Sequence, residues 1–167
     1  MPVDISLPNG TVVSCLQKHE VPLVQLEIET YFSNGIQLNA GDTVFDVGAN
    51  IGLFSVDAYR RCGSDLNVYA FEPVTPIYNV LRQNLERCAP KVRAKIFAFG
   101  LADISKSVPF AYYPRATVMS TAYPNDEDDL SVVKDAVLNS IMHLAQAPLA
   151  VRCLRWLPKR LSATILN

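Results

Sequence analysis

An α/β fold with a parallel sheet and flanking helices is predicted by the order of segments in the sequence. Continuous apolar runs, typical of buried parallel strands, alternate with segments that repeat apolar residues at helical spacing. Two of the predicted strands end in polar loops, one at Gly48 and one at Glu72. Sheets of this kind bind ligands beyond the carboxyl ends of their strands, so the same pattern also predicts where a site lies.

The bulk composition is that of an ordinary globular domain. The chain has 167 residues, of which 50% are hydrophobic, and its formal net charge is −1. This length is sufficient for one domain with a core. The near balance of charge argues against nucleic acid as the main partner, since such partners usually require a basic surface.

No apolar run is long and uninterrupted enough for a bilayer span, and the first residues lack the pattern of a secretory signal. The four cysteines are widely separated and show no zinc-type spacing, so no metal site is predicted. They are Cys15, Cys62, Cys88 and Cys153. Scattered, reduced thiols are typical of a reducing compartment, and a cytoplasmic location is therefore predicted.

Residues 1–35 are predicted to form a hairpin followed by a cap helix. The hairpin strands are Val3–Leu7 and Thr11–Leu16, and the Asn-Gly pair between them is a strong turn signal. The helix is predicted over Glu20–Phe32 from the spacing of its apolar residues, and it ends at a Ser-Asn-Gly sequence.

Residues 36–123 are predicted to carry the sheet. The predicted strands are Thr43–Val47, Leu66–Phe71, Val92–Phe99 and Ser107–Tyr113. The predicted helices, each between two strands, are Leu53–Arg61 and Pro76–Cys88. Residues 124–167 are predicted to be a helical, divergent tail, because an acidic run at 125–129 precedes helical spacing and the remainder is apolar and basic.

The loop after the first parallel strand has the residue types that a close-fitting ligand requires. Gly48 and Gly52 allow the backbone to turn tightly and to approach a ligand, and Asn50 tolerates left-handed backbone angles. Asp46 ends the strand as an acceptor, and Glu72 ends the next strand, where a carboxylate can accept hydrogen bonds from both hydroxyls of a ribose. These features meet the demands of a sulfonium cofactor attached to adenosine.

Three other functions are conceivable for a loop of this kind. A nicotinamide-dinucleotide loop requires glycine where the sequence has Asn50 and Leu53, so two of its three glycines are missing. A phosphate-cradling loop would continue with Gly-Lys-Ser/Thr, which is absent from the sequence. The third alternative is a loop that only links strand to helix, and Glu72 at the next strand end argues against it.

Taken together, these motifs resemble those of the FkbM family of S-adenosylmethionine-dependent methyltransferases over about residues 5 to 140. The matching segments are Phe45–Ser55, Tyr69–Pro73, Leu81–Leu85, Gly100–Asp103, and Tyr112–Pro114 with Val118–Ser120. The last pair is similar to members that act beside or within polyketide and nonribosomal peptide assembly lines. The resemblance implies O-methylation of a hydroxyl on a natural product or sugar, with a small-molecule or carrier-bound acceptor.

The resemblance also implies a Rossmann-like class I methyltransferase fold and a set of cofactor-binding residues. The full set is Asp46, Gly48, Ala49, Asn50, Gly52, Glu72, Pro73, Gly100 and Leu101. The loop residues would hold the methionine part, Glu72 the ribose, and the segment around Gly100 would lie near adenine. Glu27 and Tyr31 lie on a helix that resembles the family's cap over the cofactor. Catalytic residues stay unassigned, and Asp103, considered as a general base, is interpreted as a turn residue.

The resemblance ends at about residue 145. Members of the family continue with an acidic strand and a Glu-Val-His-like run, and neither is found here. The fold is therefore predicted to be incomplete. Two hypotheses follow: a methyltransferase that is active alone or with a partner, and a truncated S-adenosylmethionine-binding remnant without activity. A protein partner would contact the exposed sheet or the C-terminal tail.

Overall fold

The computed structural model describes residues 1–63, 65–88 and 93–124, which belong to one compact unit that ends at Pro124. Its elements, in chain order, are β1 (Val3–Ser6), β2 (Val12–Cys15), α1 (Glu20–Ser33), β3 (Thr43–Val47), α2 (Leu53–Cys62), β4 (Asn67–Phe71), α3 (Thr75–Cys88), β5 (Arg93–Phe97) and the short 3-10 helix η1 (Thr117–Met119). The predictions made for 125–167 lie outside the described residues.

The N-terminal hairpin forms as predicted. Strands β1 and β2 pair antiparallel, and the turn between them is closed by the amide of Leu7, which donates to the carbonyl of Thr11 at 2.8 Å. The side chain of Asn9 accepts a hydrogen bond from the amide of Thr11 at 2.9 Å, as is usual for asparagine in turns. Strand β2 is largely buried and brings Ser14 against the main core.

The sheet that positions the site has three parallel strands in the order β3-β4-β5. Val47, the last residue of β3, is paired with Phe71, the last residue of β4, and Phe71 in turn with Phe97 of β5. The three strands therefore end at one level, and the segments that follow them meet at one edge. This arrangement confirms the predicted α/β fold with a parallel sheet and flanking helices.

The two faces of the sheet differ in their packing. One face carries Val44, Val68 and Ala70, which are buried in a core shared with α2 and α3. The other face carries aromatic rings, and we call it the aromatic face; it consists of the stacked rings of Phe45, Tyr69, Phe71 and Phe97 and the tilted ring of Phe99. Phe45 is 62% exposed and Phe99 is 51% exposed. Within the described residues, β3 is an edge strand of this sheet.

The predicted strand at Ser107–Tyr113 is wrong. The described structure has only an isolated antiparallel bridge there, between Ala111 and Thr121. Alternation of apolar and polar side chains stabilises a strand only when the apolar face is buried. In this segment the apolar residues Val108 and Phe110 both remain more than a third exposed. The segment 111–121 instead folds back on itself as a strap that includes η1.

The other predicted elements are found within a few residues of their expected ends. The largest difference is in β5, which ends at Phe97 and not at Phe99. The division of the chain at residues 35 and 123 stays a prediction. Among the described residues, no helix has both the length and the apolar character to cross a membrane. The same part of the chain contains no cluster of three or more histidine, cysteine or acidic side chains that could hold a metal ion.

Candidate functional site

The loop between β3 and α2 turns through three residues with left-handed backbone angles. Gly48 has a φ of 74°, Asn50 of 49° and Gly52 of 83°. Left-handed angles are strained for residues with a Cβ atom and are tolerated best by glycine and asparagine. The positions of these residue types thus explain how the chain leaves β3 and enters α2 within five residues.

The amide groups of this loop are already engaged within the protein. The amides of Gly48 and Ala49 both donate to the carbonyl of Phe71 at 3.0 Å, and the amide of Asn50 donates to the carboxylate of Glu72 at 3.0 Å. The amides of Ile51 and Gly52 bond to acceptors inside the loop itself. A ligand at this loop therefore finds small side chains and carbonyl oxygens, which accept hydrogen bonds, more than free N–H donors.

Gly48 and Gly52 serve different purposes. A Cβ atom on Gly52 would lie 2.6 Å from Cδ1 of Leu81, so this glycine is required by the packing of α3 beneath the loop. A Cβ atom on Gly48 would meet no atom within 4 Å. Gly48 therefore leaves open space above the end of β3, which is where a ligand would lie.

Asp46 is buried under the loop with 8% of its surface exposed. Its Oδ2 accepts a hydrogen bond from the hydroxyl of Ser55 at 2.5 Å. Burial raises the pKa of Asp46, and the hydrogen bonds from Ser55 partly offset this increase. Much of the acceptor capacity of Asp46 is thus used to fix the start of α2.

Glu72 joins the loops that follow β3 and β4. Its Oε2 accepts from the amide of Asn50 at 3.0 Å, and its Oε1 accepts from the amide of Val74 at 2.8 Å. Only 5% of the residue is exposed. Burial raises the pKa of Glu72, while its hydrogen bonds from the two backbone amides act in the opposite direction. Each oxygen keeps a second lone pair, so the carboxylate can still accept a hydroxyl donor.

A cavity of about 490 Å³ opens between the loop and helix α1. This volume lies within the range usual for small-molecule sites. Polar and apolar side chains are found on both walls, with Glu27 and Tyr31 on α1 and Asp46 and Asn50 on the side of the loop. Its lining residues are Val24, Glu27, Ile28, Tyr31, Ile36, Phe45, Asp46, Val47, Gly48, Ala49, Asn50, Ile51, Leu53, Phe54 and Val118.

The charge of the cavity suits a cation. Among the described residues, its lining contains the carboxylates of Glu27 and Asp46 and includes no lysine, arginine or histidine. S-adenosylmethionine carries a sulfonium, an ammonium and a carboxylate, so its net charge is positive, and its cationic groups are stabilised by carboxylate and carbonyl acceptors. Together with the open space at Gly48, the acceptor-rich lining fits this cofactor.

Not all residues predicted for the site line the cavity. Asp46, Gly48, Ala49 and Asn50 do, and Gly52 lies buried beneath them. The second group lies apart from the cavity and consists of Glu72, Pro73, Gly100 and Leu101. Glu72 is nevertheless linked to the cavity wall, because it accepts a hydrogen bond from the amide of Asn50, which lines the cavity.

Within the second group, Gly100 lies against the ring of Pro73, with its ideal Cβ position 3.8 Å from Cγ of the proline. Leu101 is 53% exposed. Asp103, considered above as a base, is exposed, lies outside the cavity lining and accepts a hydrogen bond from the amide of Ile104. This geometry agrees with its interpretation as a turn residue.

Asn84 supports the loop, a role that its place in the motif Leu81–Leu85 did not predict. It is fully buried in α3, and its side-chain amide donates to the carbonyl of Ile51 in the loop at 2.8 Å. The same side chain accepts from the amide of Ser14 and donates to its carbonyl. The sequence does contain a signal for this role, since Asn84 is a polar residue on the otherwise apolar face of an amphipathic helix, and buried polar residues need hydrogen-bond partners.

The strap at 111–121 supplies Val118 to the cavity. Its position is fixed by Thr117, whose hydroxyl donates to the buried carboxylate of Glu20 at 2.5 Å. A second contact is made by Gln17, whose side chain donates to the carbonyl of Pro114 at 2.7 Å. The strap is therefore attached to the start of α1, the helix that forms the opposite wall.

Similarity to known proteins agrees with this geometry. The 31-O-demethyl-FK506 methyltransferase FkbM of Streptomyces tacrolimicus is 32% identical over 154 residues, which are 86% of this chain and 58% of that protein. The methyltransferase sdnD of Sordaria araneosa is 31% identical over 116 residues, which are 69% of this chain and 44% of that protein. The resemblance to FkbM methyltransferases is confirmed.

A third relative of this FkbM-like chain is the AMB antimetabolite synthetase AmbE of Pseudomonas aeruginosa. It is 40% identical over 121 residues, which are 71% of this chain but only 6% of the synthetase. The chain thus spans about half the length of the two methyltransferases and a small part of the synthetase. No protein-family model matches it.

Among solved structures, a candidate S-adenosyl-L-methionine-dependent methyltransferase from Methanococcus maripaludis overlaps with part of the chain. The overlap covers 48% of this chain and 35% of that one, with 18% identity and a TM-score of 0.38. A similarity at this level carries no conclusion about the site.

Proposed function

We propose that this chain binds S-adenosylmethionine in the cavity between α1 and the loop after β3, and that it acts in O-methylation of a hydroxyl on a natural product or sugar. The observation that carries the proposal is the combination of an acidic cavity with open space above Gly48 at the end of a parallel strand. The name of the Streptomyces relative supports transfer to an oxygen.

In this proposal the residues of the chain bind and orient the cofactor. Asp46, Gly48, Ala49, Asn50 and Gly52 form the part of the site that holds the methionine portion. The adenosine part would extend beyond the cavity lining along the strand ends, so that Glu72 accepts hydrogen bonds from the ribose and Pro73, Gly100 and Leu101 lie beside adenine. When bound, the cofactor would supply an electrophilic methyl group, and transfer would require the acceptor oxygen to lie about 3 Å from it and in line with the breaking bond.

The acceptor is proposed to be a small molecule or a molecule bound to a carrier. Similarity to part of a large synthetase supports the second form. A cytoplasmic location and the absence of nucleic acid from the reaction remain predictions.

A protein partner on the aromatic face is proposed as well. The exposed rings of Phe45 and Phe99 support an apolar polypeptide as the partner. The free edge of β3, which pairs with no further strand among the described residues, supports the addition of a strand beside that face. Binding of the chain to the part of the Streptomyces relative that lies outside the match tests this, and the failure of the two to associate would contradict it.

The alternative to an active enzyme is a binding remnant or a fragment that requires a partner for activity. It is favoured by the extent of the matches, which cover 58% and 44% of the two methyltransferase relatives. Calorimetric titration with S-adenosylmethionine and NAD, followed by transfer of a labelled methyl group to hydroxyl acceptors, separates these cases. Binding with transfer supports the enzyme, and binding without transfer supports the alternative. Absence of S-adenosylmethionine binding at millimolar concentration contradicts both, and preference for NAD indicates a dehydrogenase.

A further inference from the structure

The wall of the cavity that faces the loop contains a hydrogen-bonded pair on helix α1. Glu27 and Tyr31 lie one turn apart on this helix, and both line the cavity. The hydroxyl of Tyr31 donates to Oε1 of Glu27 at 2.6 Å. A carboxylate accepts several hydrogen bonds, so Glu27 keeps acceptor capacity for a donor inside the cavity.

Tyr31 remains a hydrogen-bond donor at neutral pH. The hydrogen bond to Glu27, together with partial burial and nearby negative charge, raises the pKa of Tyr31 to about 12. Its proton therefore stays on the hydroxyl and keeps the carboxylate of Glu27 in one orientation. The ring of Tyr31 also contacts Phe54 edge to face, at a centroid distance of 6.1 Å, which limits its movement.

Glu27 is better suited than Asp46 to bind a cationic ligand. Asp46 is 8% exposed and accepts a hydrogen bond from Ser55, and burial raises its pKa, which disfavours its charged form. Glu27 is exposed and belongs to the opposite wall. The charged acceptor that a ligand in the cavity can reach is therefore Glu27.

The donors and acceptors of the cavity distinguish between the two cationic groups of the cofactor. An ammonium offers three N–H donors to a carboxylate, whereas a sulfonium offers no N–H or O–H group. The loop from Gly48 to Gly52 contains no acidic side chain, and its amides at Gly48, Ala49 and Asn50 are bonded within the protein, so it offers an ammonium carbonyl oxygens but no charged acceptor. An ammonium between Glu27 and the loop carbonyls would be surrounded by acceptors.

Resting on the proposed function, we propose that Glu27, oriented by Tyr31, binds the ammonium of the methionine part of S-adenosylmethionine. Glu27 is in this view a binding residue, and Tyr31 is a positioning residue that acts through it. Helix α1 then contributes directly to cofactor recognition, since it supplies the charged partner that the loop lacks.

Three ligands separate the contributions of the ammonium, the sulfonium and the nucleoside to binding. S-adenosylmethionine and S-adenosylhomocysteine both carry the ammonium, whereas 5′-methylthioadenosine keeps the nucleoside and lacks the amino acid part. Calorimetric titration of the full chain measures the affinity for each, and no methyl acceptor is required. Glu27→Gln keeps the shape and the exposed helical position of Glu27 and removes its charge.

We expect Glu27→Gln to weaken binding of S-adenosylmethionine and S-adenosylhomocysteine by about tenfold to a hundredfold, the range for loss of a hydrogen bond to a charged group. Its affinity for 5′-methylthioadenosine should stay at the wild-type level. Tyr31→Phe should show the same pattern with a smaller loss. Glu29→Gln is the matched control, because Glu29 lies on the same helix and pairs with Arg61 outside the cavity.

Wild-type affinity of Glu27→Gln for S-adenosylmethionine would overturn the proposal. An equal loss for all three ligands would also overturn it, since the change would then act on the structure of the site. A loss confined to S-adenosylmethionine would overturn the ammonium assignment in favour of the sulfonium. If the wild-type chain binds none of the three ligands, the proposed function itself fails. If the wild-type chain binds them and Glu27→Gln binds equally well, only the assignment of Glu27 fails.

Discussion

The side-chain amide of Asn84 donates a 2.8 Å hydrogen bond to the carbonyl of Ile51, at the centre of the loop that forms the candidate site. The same amide group exchanges two hydrogen bonds with the backbone of Ser14 in the hairpin. One buried side chain in α3 therefore connects the N-terminal hairpin to the loop. The hairpin is thus part of the structure that supports the site, although it contributes no residue to the cavity lining.

Replacement of Asn84 by alanine should lower the free energy of unfolding by about 3 kcal/mol, because it leaves buried backbone groups of Ser14 and Ile51 without partners. Urea denaturation followed by circular dichroism measures this loss. Gln83→Ala, at the exposed neighbouring position of the same helix, is the control and should change stability by less than about 0.5 kcal/mol. Equal effects of the two variants would contradict the role of Asn84.

Gly48→Ala tests whether the open space above the loop is a binding space. The φ of 74° makes alanine strained there, so we expect a stability loss of about 1 kcal/mol. Gly41 has a similar φ of 89° and equally free surroundings, but lies outside the cavity lining. Gly41→Ala should therefore lose as much stability and bind S-adenosylmethionine normally, whereas Gly48→Ala should bind it more weakly. Calorimetry that finds the same affinity for both variants would exclude Gly48 from the site.

Glu72→Ala should weaken binding of S-adenosylmethionine by about 1–3 kcal/mol if the carboxylate accepts hydrogen bonds from the ribose. Binding of 5′-methylthioadenosine should weaken as well, because this ligand keeps the ribose. That result contrasts with the expectation for Glu27→Gln. Unchanged titration curves for both ligands would remove Glu72 from the cofactor site and leave it as the residue that fixes the amides of Asn50 and Val74.

The ionisation of Asp46 predicts a dependence of stability on pH. Burial raises its pKa above the ordinary value of 3.8, so the folded chain binds this proton more tightly than the unfolded chain does. The stability that this group contributes is fully present below the ordinary pKa and is lost as the pH rises through the raised value.

Asp46→Asn removes this titration and keeps an oxygen that can accept from Ser55. We therefore expect the variant to gain stability relative to the wild type between about pH 4.5 and about pH 7.5. Urea midpoints at the two pH values measure the change. A constant difference between the proteins, or one that decreases, would contradict the raised pKa.

Local patterns were sufficient to predict the elements that carry the loop. Strand β3 has the predicted ends, and the glycines and Asn50 adopt the left-handed angles for which their residue types are suited. Tertiary contacts were not predictable in this way. Asn84 and Ser14 are 70 positions apart, and Thr117 and Glu20 are 97 positions apart. No periodicity within a segment reports such contacts.

The incorrect prediction of a strand at Ser107–Tyr113 also arises because tertiary contacts cannot be predicted from local patterns. Alternation predicts that a segment could form a strand, but a partner strand and a buried face must be supplied by the rest of the fold. Val118 belongs to a matching motif, but the sequence does not predict that it lines the cavity. Its position there depends on the contact between Thr117 and Glu20, which places η1.

The binding of the cofactor at the loop is tested most directly by the amide NMR spectrum of the nitrogen-15-labelled chain, recorded with and without S-adenosylmethionine. We predict that the largest shift changes occur at Gly48, Ala49 and Asn50, and that the signal of Gly41 stays in place. If a saturating concentration of the cofactor leaves the three loop signals unmoved, or if the largest changes map to the hairpin, the account is contradicted.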